Sequence, residues 1–407
     1  MTSLQELYRI GRGPSSSHTM APSAAAEIFY KRVPNAAEYS VTLYGSLAAT
    51  GKGHFTDQAL LSVLPPERTK IIWAPETVLK EHPNGMLFYA KDAQKNIIEK
   101  WKVFSIGGGA LSEDGRTATI PDCYDFKTMQ EILDECLQRG IPFWQIVEEI
   151  EGLEYLETVY STMLSCIENG LCKDGVLPGG LQLGRKARSV YLKTQSLRPE
   201  LRRTGLLAAY AYAASEENAS LGIVVTAPTC GSCAVVPAVL RYLQESCNCT
   251  KIEMVRSLAV AGLFGNIIKR NGSISGAEVG CQGEIGSACA MASAAAAYLL
   301  GGTIRQCEYA AEIGLEHFLG LTCDPVMGLV QIPCIERNCI AANHAITAAE
   351  IALISDGHHL ISFDDAVMAM LKTGHDLPSL YKETSLGGLA GIMHQKVTNI
   401  IDKTQNN

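Results

Sequence analysis

Residues 285–302, IGSACAMASAAAAYLLGG, set the tightest limit on what this chain can fold into. A helix that is apolar on every face cannot lie on a surface; it has to be enclosed by other elements or by lipid. Crossing a bilayer takes about 20 consecutive apolar residues. This run is shorter and is interrupted by Ser287 and Ser293. A closely packed interior helix is therefore expected, with Ala and Ser letting neighbouring backbones approach.

The rest of the chain supplies candidates for those neighbours. Met129, Ile132, Leu133, Cys136 and Leu137 recur at helical spacing, with Thr128 and Glu131 spaced as a capping box and Gly140 as a C-cap. Beyond them, 203–217, 234–246, 255–270 and 340–353 are Ala- and Leu-rich and read as helices. Before residue 126 the pattern differs. Segments 40–46, 70–74, 86–90 and 101–106 are short, β-branched or aromatic, and bounded by Gly, Pro or Asn, which predicts strands. The expected fold is α+β in two domains: a small α/β domain over 1–125 and a large, mostly helical domain over 126–407. No fixed-period repeat is present.

Of 407 residues, 47% are hydrophobic and 19% charged, a globular composition. The net charge of −8 argues against nucleic acid as a partner, which would require a basic stripe. The opening MTSLQELYRIGRGP has neither the basic leader nor the apolar core of a signal peptide. A cytoplasmic protein without membrane association is expected.

Residues 11–29, GRGPSSSHTMAPSAAAEIF, pose a second question. Three serines, a histidine and a threonine stand where little can build a core before Ala21. They read as a flexible leader, as a helix cap whose hydroxyls satisfy free N–H groups, or as a grip on a small polar molecule. Capping and binding are compatible, because helix N-termini also receive carboxylates. Pro22 sits where a first-turn proline costs little, so 21–32 is expected to be helical.

Fourteen cysteines are many for such a chain. The pairs in 230-CGSC-233 and 247-CNC-249 lack the spacing of a zinc knuckle, and an apolar helix separates them. Cys230, Cys233, Cys247 and Cys249 are read as packing or loop residues. Cys281, Cys323 and Cys334 stand beside Gly or Pro with polar neighbours (Gln282, Glu284, Asp324, Glu336 and Arg337). That setting fits either core thiols or three ligands of one metal centre, and their spacing matches no general motif.

Several stretches, in order along nearly the whole chain, decide between these. They are 13-GPSSSHTMAP-22, 45-GSLAATGKGHFTD-57, 105-SIGGG-109, 175-GVLPGG-180, 216-EENAS-220, 226-TAPTCGSC-233, 273-SISGAEVGCQGEIG-286, 311-AEIGLEHFLGLTCDP-325, 333-PCIERN-338 and 383-ETSLGGLA-390. In these the chain resembles the iron–sulfur-dependent bacterial L-serine dehydratases, which join an α/β β-domain to a helical α-domain. The resemblance implies that Cys281, Cys323 and Cys334 hold a [4Fe–4S] cluster. Three thiolates leave one iron without a protein ligand, which suits Lewis-acid work better than electron transfer.

The resemblance also implies a base for the Cα proton, His54, which taken alone would be a histidine in a Gly-rich turn. An imidazole titrates near neutrality, as that task requires. Ser15, Ser16, Ser17 and Thr19 are expected to contact L-serine, with His18 as a substrate binder or secondary proton carrier. Ser46 and Thr56 are further substrate-binding candidates, equally readable as turn formers. Asn271, Ser275, Glu336, Arg337 and Thr384 are candidates to support the cluster. His317 is either a supporting or a core histidine, and Gly107–Gly109 either cradle an anion or permit close packing. A homodimer is implied.

Two departures from the family pattern stand out: the first domain is short, and Cys230 replaces the Ala or Asn expected in APTxG. The rival readings are cluster-dependent L-cysteine desulfidase or L-threonine dehydratase, a pyridoxal phosphate dehydratase, and a non-catalytic iron–sulfur redox sensor. Lys52 and Lys186 lie in Gly-bearing stretches but form no persuasive Schiff-base motif.

Overall fold

The computed structural model describes residues 1–113 and 121–394. Contacts divide the chain into a unit over 11–120 and a second unit formed by 1–10 with 121–407. The smaller unit follows the short strand β1 (Ile10–Arg12) and opens with a π-helical turn, Ser16–Met20, that runs into α1 (Ala21–Arg32). Pro22 lies in the first turn of α1, as expected.

Five strands follow: β2 (Glu38–Tyr44), β3 (Thr69–Ala74), β4 (Gly85–Lys91), β5 (Ile97–Ser105) and β6 (Leu111–Ser112). They form one sheet in the order β3-β2-β4-β5-β6, with β2 and β3 parallel and the other pairs antiparallel. Alternation along β2 buries Tyr39, Val41 and Leu43 on one face. There they join Phe88 and Trp101 of neighbouring strands and Ala25, Ala26 and Phe29 of α1 in a single core. The Phe29 ring stacks on Trp101 and lies 5.1 Å from Phe88.

A parallel pair cannot be joined by a tight hairpin, so the chain needs a crossover between β2 and β3. That crossover holds α2 (Gly45–Thr50) and α3 (Thr56–Leu61). The strand therefore ends at Tyr44, not at Ser46 as the β-rich pattern suggests. Gly45 turns the chain at φ +50°, where a side chain would also meet the Pro83 carbonyl oxygen at 2.4 Å.

In the larger unit, the first four helices are α4 (Met129–Arg139), α5 (Phe143–Glu151), α6 (Glu154–Leu171) and α7 (Ala187–Thr194). Next come α8 (Pro199–Asn218), the short strand β7 (Ile223–Val225), α9 (Val235–Cys247), α10 (Lys251–Asn271) and the single turn α11 (Gly276–Val279). A second π-helical turn, Gln282–Gly286, feeds α12 (Ser287–Leu299), followed by α13 (Ile304–Glu316), α14 (Cys334–Leu353) and α15 (Phe363–Asp376).

The Ala/Ser run is α12, and every residue from Ser287 to Ala297 is buried. It packs against α9, α10, α13 and α14, the enclosure its all-apolar surface requires. Thr128 caps α4 by accepting from the Glu131 N–H, and Gly140 ends it in the left-handed region. Glu131 reaches the Lys127 N–H, so the capping box is only half formed. The N-terminal ten residues pack with this unit through buried Leu4, Leu7 and Tyr8, whose hydroxyl donates to the Leu258 carbonyl at 3.0 Å. Among the described residues no helix is long and apolar enough to cross a membrane.

Candidate active site

In the smaller unit, the crossover places GKGHFTD just past the carboxyl end of β2. Its partner is the π-helical turn bearing His18. Ser15 is the cap that its sequence suggests: its hydroxyl accepts from the His18 N–H at 3.2 Å. The two motifs are then tied reciprocally. Thr56 Oγ1 donates to the His18 carbonyl at 2.6 Å, and Thr19 Oγ1 donates to the His54 carbonyl at 2.8 Å. Both threonines are fully buried, so neither bond is exchanged for water.

The braces bring the imidazoles of His18 and His54 to a centroid separation of 4.7 Å, tilted by 32°. His54 Nδ1 lies 3.1 Å from the Thr50 carbonyl oxygen and must carry the hydrogen, which leaves Nε2 as the lone-pair nitrogen. That Nε2 is buried without a partner, and so is His18 Nδ1. Buried polar atoms are nearly always satisfied, so two orphaned nitrogens on adjacent rings mark a place for a polar guest. Burial pushes both histidines below the ordinary imidazole range, His18 to about 3, where the His54 ring adds to the effect. Both rings are neutral at pH 7, the form a base requires.

Ser46, in the first turn of α2, lies 3.4 Å from His18 Nε2. Ser16 is buried and Ser17 half-buried on the turn that carries His18. The structure thus draws His18, His54, Ser15, Thr19, Ser46 and Thr56 together, with Thr19 and Thr56 spending their hydroxyls on the braces. Gly107, Gly108 and Gly109 all have positive φ and form the turn between β5 and β6.

In the larger unit, Cys281 precedes the second π-helical turn, Cys323 lies between α13 and α14, and Cys334 opens α14. The neighbouring Cys281, then burial, holds the Cys323 thiol well above its usual range, while burial and then Cys281 do the same for Cys334. Glu284 joins the group. Its carboxyl takes a hydrogen bond from Thr229 Oγ1 at 2.7 Å and lies 3.9 Å from Cys323 Sγ. Burial raises Glu284, and burial with the Glu284 charge lifts Glu383 to about 8. Gly276 makes room: a methyl there would stand 3.1 Å from Cys323 Sγ and 2.9 Å from Glu284 Oε2.

None of the cysteines is in a disulfide. Three soft thiol donors converging with carboxyls and one guanidinium are a donor set suited to an iron–sulfur group. Among the described residues no three His, Cys, Asp or Glu side chains are arranged to hold a single metal ion. The donor set fits an iron–sulfur group by the chemistry of its thiols.

Arg337 reaches this pocket. Of the other four supporting candidates, Asn271 bonds the Lys127 carbonyl, Glu336 pairs with Lys186 and Thr384 bonds the Leu380 carbonyl, while Ser275 donates its backbone N–H to Ser273. His317 caps the end of α13 with Nδ1 on the Ile313 carbonyl. Sequence reasoning missed Thr229, Glu383 and Asn338. Asn338 carried one legible signal: it lies one helical turn after Cys334 and returns its Nδ2 to the Cys334 carbonyl at 2.9 Å. Cys230 and Cys233 are buried, and burial raises both thiols.

A model of the serine dehydratase beta chain matches residues 3–68, and one of the serine dehydratase alpha chain matches residues 82–390. The chain belongs to the serine dehydratase family. It is the single-chain form, with the beta-chain part first. An L-serine dehydratase of Streptomyces coelicolor is 40% identical, over 95% of this chain and 98% of the relative. The L-serine dehydratase of Haemophilus influenzae and L-serine dehydratase 1 of Escherichia coli are each 38% identical, over 96% of this chain and 99% of the relative. These alignments span 448 to 451 positions, more than the 407 residues of the chain, so these serine dehydratases carry segments that it lacks.

Proposed function

We propose that this enzyme is an L-serine ammonia-lyase that converts L-serine to pyruvate and ammonia with a [4Fe–4S] cluster held by Cys281, Cys323 and Cys334. The observation that carries the reading is the buried, unpartnered Nε2 of a neutral His54, in a chain of this family. The cluster, when bound, supplies Lewis acidity toward the substrate hydroxyl at an iron without a protein ligand. His54 Nε2 takes the Cα proton, and its Nδ1–H bond to the Thr50 carbonyl fixes the ring and the tautomer. His18 and the hydroxyls of Ser15, Ser16, Ser17 and Ser46 orient the substrate. Loss of water gives aminoacrylate, which tautomerises to the imine and is hydrolysed to pyruvate and ammonia.

The test is anaerobic reconstitution with iron and sulfide, followed by a pyruvate assay with L-serine, L-threonine and L-cysteine. Turnover fastest with L-serine, together with about four irons and four sulfides per chain, supports the reading. L-Cysteine as the fastest substrate overturns the substrate assignment. Turnover without iron overturns the cofactor.

A further inference from the structure

We infer that Arg337 is the positioning residue that ties the three thiol-bearing segments together and tunes the sulfur of Cys281. The inference rests on the cluster reading above. Arg337 lies one turn after Cys334, on the helix that Cys334 opens. Its Nη1 donates to the Thr322 carbonyl at 2.7 Å and its Nη2 to Asp324 Oδ1 at 3.0 Å. These residues flank Cys323 on either side. The Cys281 thiol stands beside the same guanidinium. One rigid, planar group on the Cys334 helix thus bonds both flanks of Cys323 and lies beside Cys281, three segments distant in sequence and held by no shared strand or helix.

The surroundings explain why the group is an arginine. Asp324 is 3% exposed and Arg337 17% exposed, so their ion pair is largely removed from water. Asp324 uses its other oxygen to accept from the Leu389 N–H at 2.7 Å, which anchors the ETSLGGLA segment to the same point. That segment also runs beside Cys323, with the Cys323 N–H on the Tyr381 carbonyl and the Glu383 N–H on the Cys323 carbonyl, each at 2.8 Å. A lysine supplies the charge but not a fork of N–H donors fixed in one plane. Burial holds the carboxyls of Glu284 and Glu383 and the thiol of Cys334 toward their neutral forms, Cys281 and then burial do the same for Cys323, and Arg337 is the cation that stands beside Cys281. N–H donors on cluster sulfurs stabilise the more electron-rich state and so raise the reduction potential.

The experiment compares anaerobically reconstituted wild-type enzyme with Arg337→Lys and Arg337→Gln. Lysine keeps the charge for Asp324, glutamine keeps a planar N–H donor, and neither keeps the fork. Four quantities are read: iron and sulfide content, the rate of iron loss to a ferrous chelator, the reduction potential of the cluster, and the melting of the apoprotein. Both variants are expected to lose iron about 10- to 100-fold faster than wild type, and their potentials are expected to fall. Melting of the apo-Lys variant close to wild type separates this effect from misfolding. Should the Lys variant unfold, the Gln variant supplies the same four readings. Variants that keep iron at the wild-type rate and potential overturn the role of Arg337 alone. Wild-type enzyme that binds no iron and sulfide overturns the cluster reading, and the tuning role with it.

Discussion

Thr56 donates its hydroxyl to the main-chain carbonyl of His18 across 38 residues of sequence, at 2.6 Å and with no water access. With the Thr19 bond to the His54 carbonyl, it fixes the relation of two neighbouring rings that each carry a buried nitrogen without a partner. Thr56→Val keeps the shape and leaves the His18 carbonyl unpaired. The expected cost is about 1–3 kcal/mol of stability, read by urea unfolding, with a fall in kcat. Because both braces hold one geometry, Thr19→Val combined with Thr56→Val is expected to cost less than the two single losses summed. Strict additivity would show that the braces act independently.

Replacing His54 by alanine should remove proton abstraction and leave the thiol pocket intact. A drop in kcat of about 100- to 10,000-fold is expected, with iron content unchanged. Undiminished turnover would rule His54 out as the base. His18→Ala is expected to act more on KM, in keeping with a binding role.

The histidine pair also sets an acid limit on stability. Burial depresses both folded-state values, His18 to about 3. Below about pH 6.5, where an unfolded histidine takes up its proton, the unfolded chain binds protons that the folded chain refuses. Stability from this source is therefore complete above about pH 6.5 and is lost as pH falls toward the folded values, with a limiting slope of about 1.4 kcal/mol per pH unit for each histidine. Urea unfolding of the apoenzyme at pH 7 and pH 5 should show the loss, and His18→Asn should lessen it. Equal pH dependence in the variant would count against His18 as a source.

Gly276 is expected to be replaceable for folding but not for the pocket. Gly276→Ala brings a methyl against Cys323 Sγ and Glu284 Oε2. Iron content after reconstitution should fall by about half or more, while apoprotein stability changes by no more than about 1–3 kcal/mol. Full iron loading would show that the pocket relaxes around the methyl.

Thr229 is the hydroxyl on which the Glu284 carboxyl depends. Thr229→Val should cost about 1–3 kcal/mol by leaving that carboxyl short of a donor. The conservative Thr229→Ser, which keeps the hydroxyl, should recover most of the loss in thermal melting.

Some of this protein was written locally. The Ala/Ser run of α12 could only be an enclosed helix, because no face of it tolerates water, and alternation in β2 fixed which side of the sheet is core. Ser15 as a cap and Pro22 in a first turn follow from N–H groups a helix start leaves free, and Gly140 from the left-handed geometry of a helix end. The long motifs announced the family. Other features depended on residues that meet only when the chain is folded. Position 45 has no room for a side chain because of the Pro83 carbonyl, a neighbour that no local window contains. Which nitrogen of His54 is free is decided by the Thr50 carbonyl, and its neutrality by burial. That Thr19 and Thr56 donate their hydroxyls to each other's motif is likewise visible only in the folded chain. Arg337 stood beside Cys334 in sequence, but its grip on both sides of Cys323 exists only in three dimensions. Propensity and periodicity act over a few residues, whereas desolvation and hydrogen-bond satisfaction are properties of the packed surroundings.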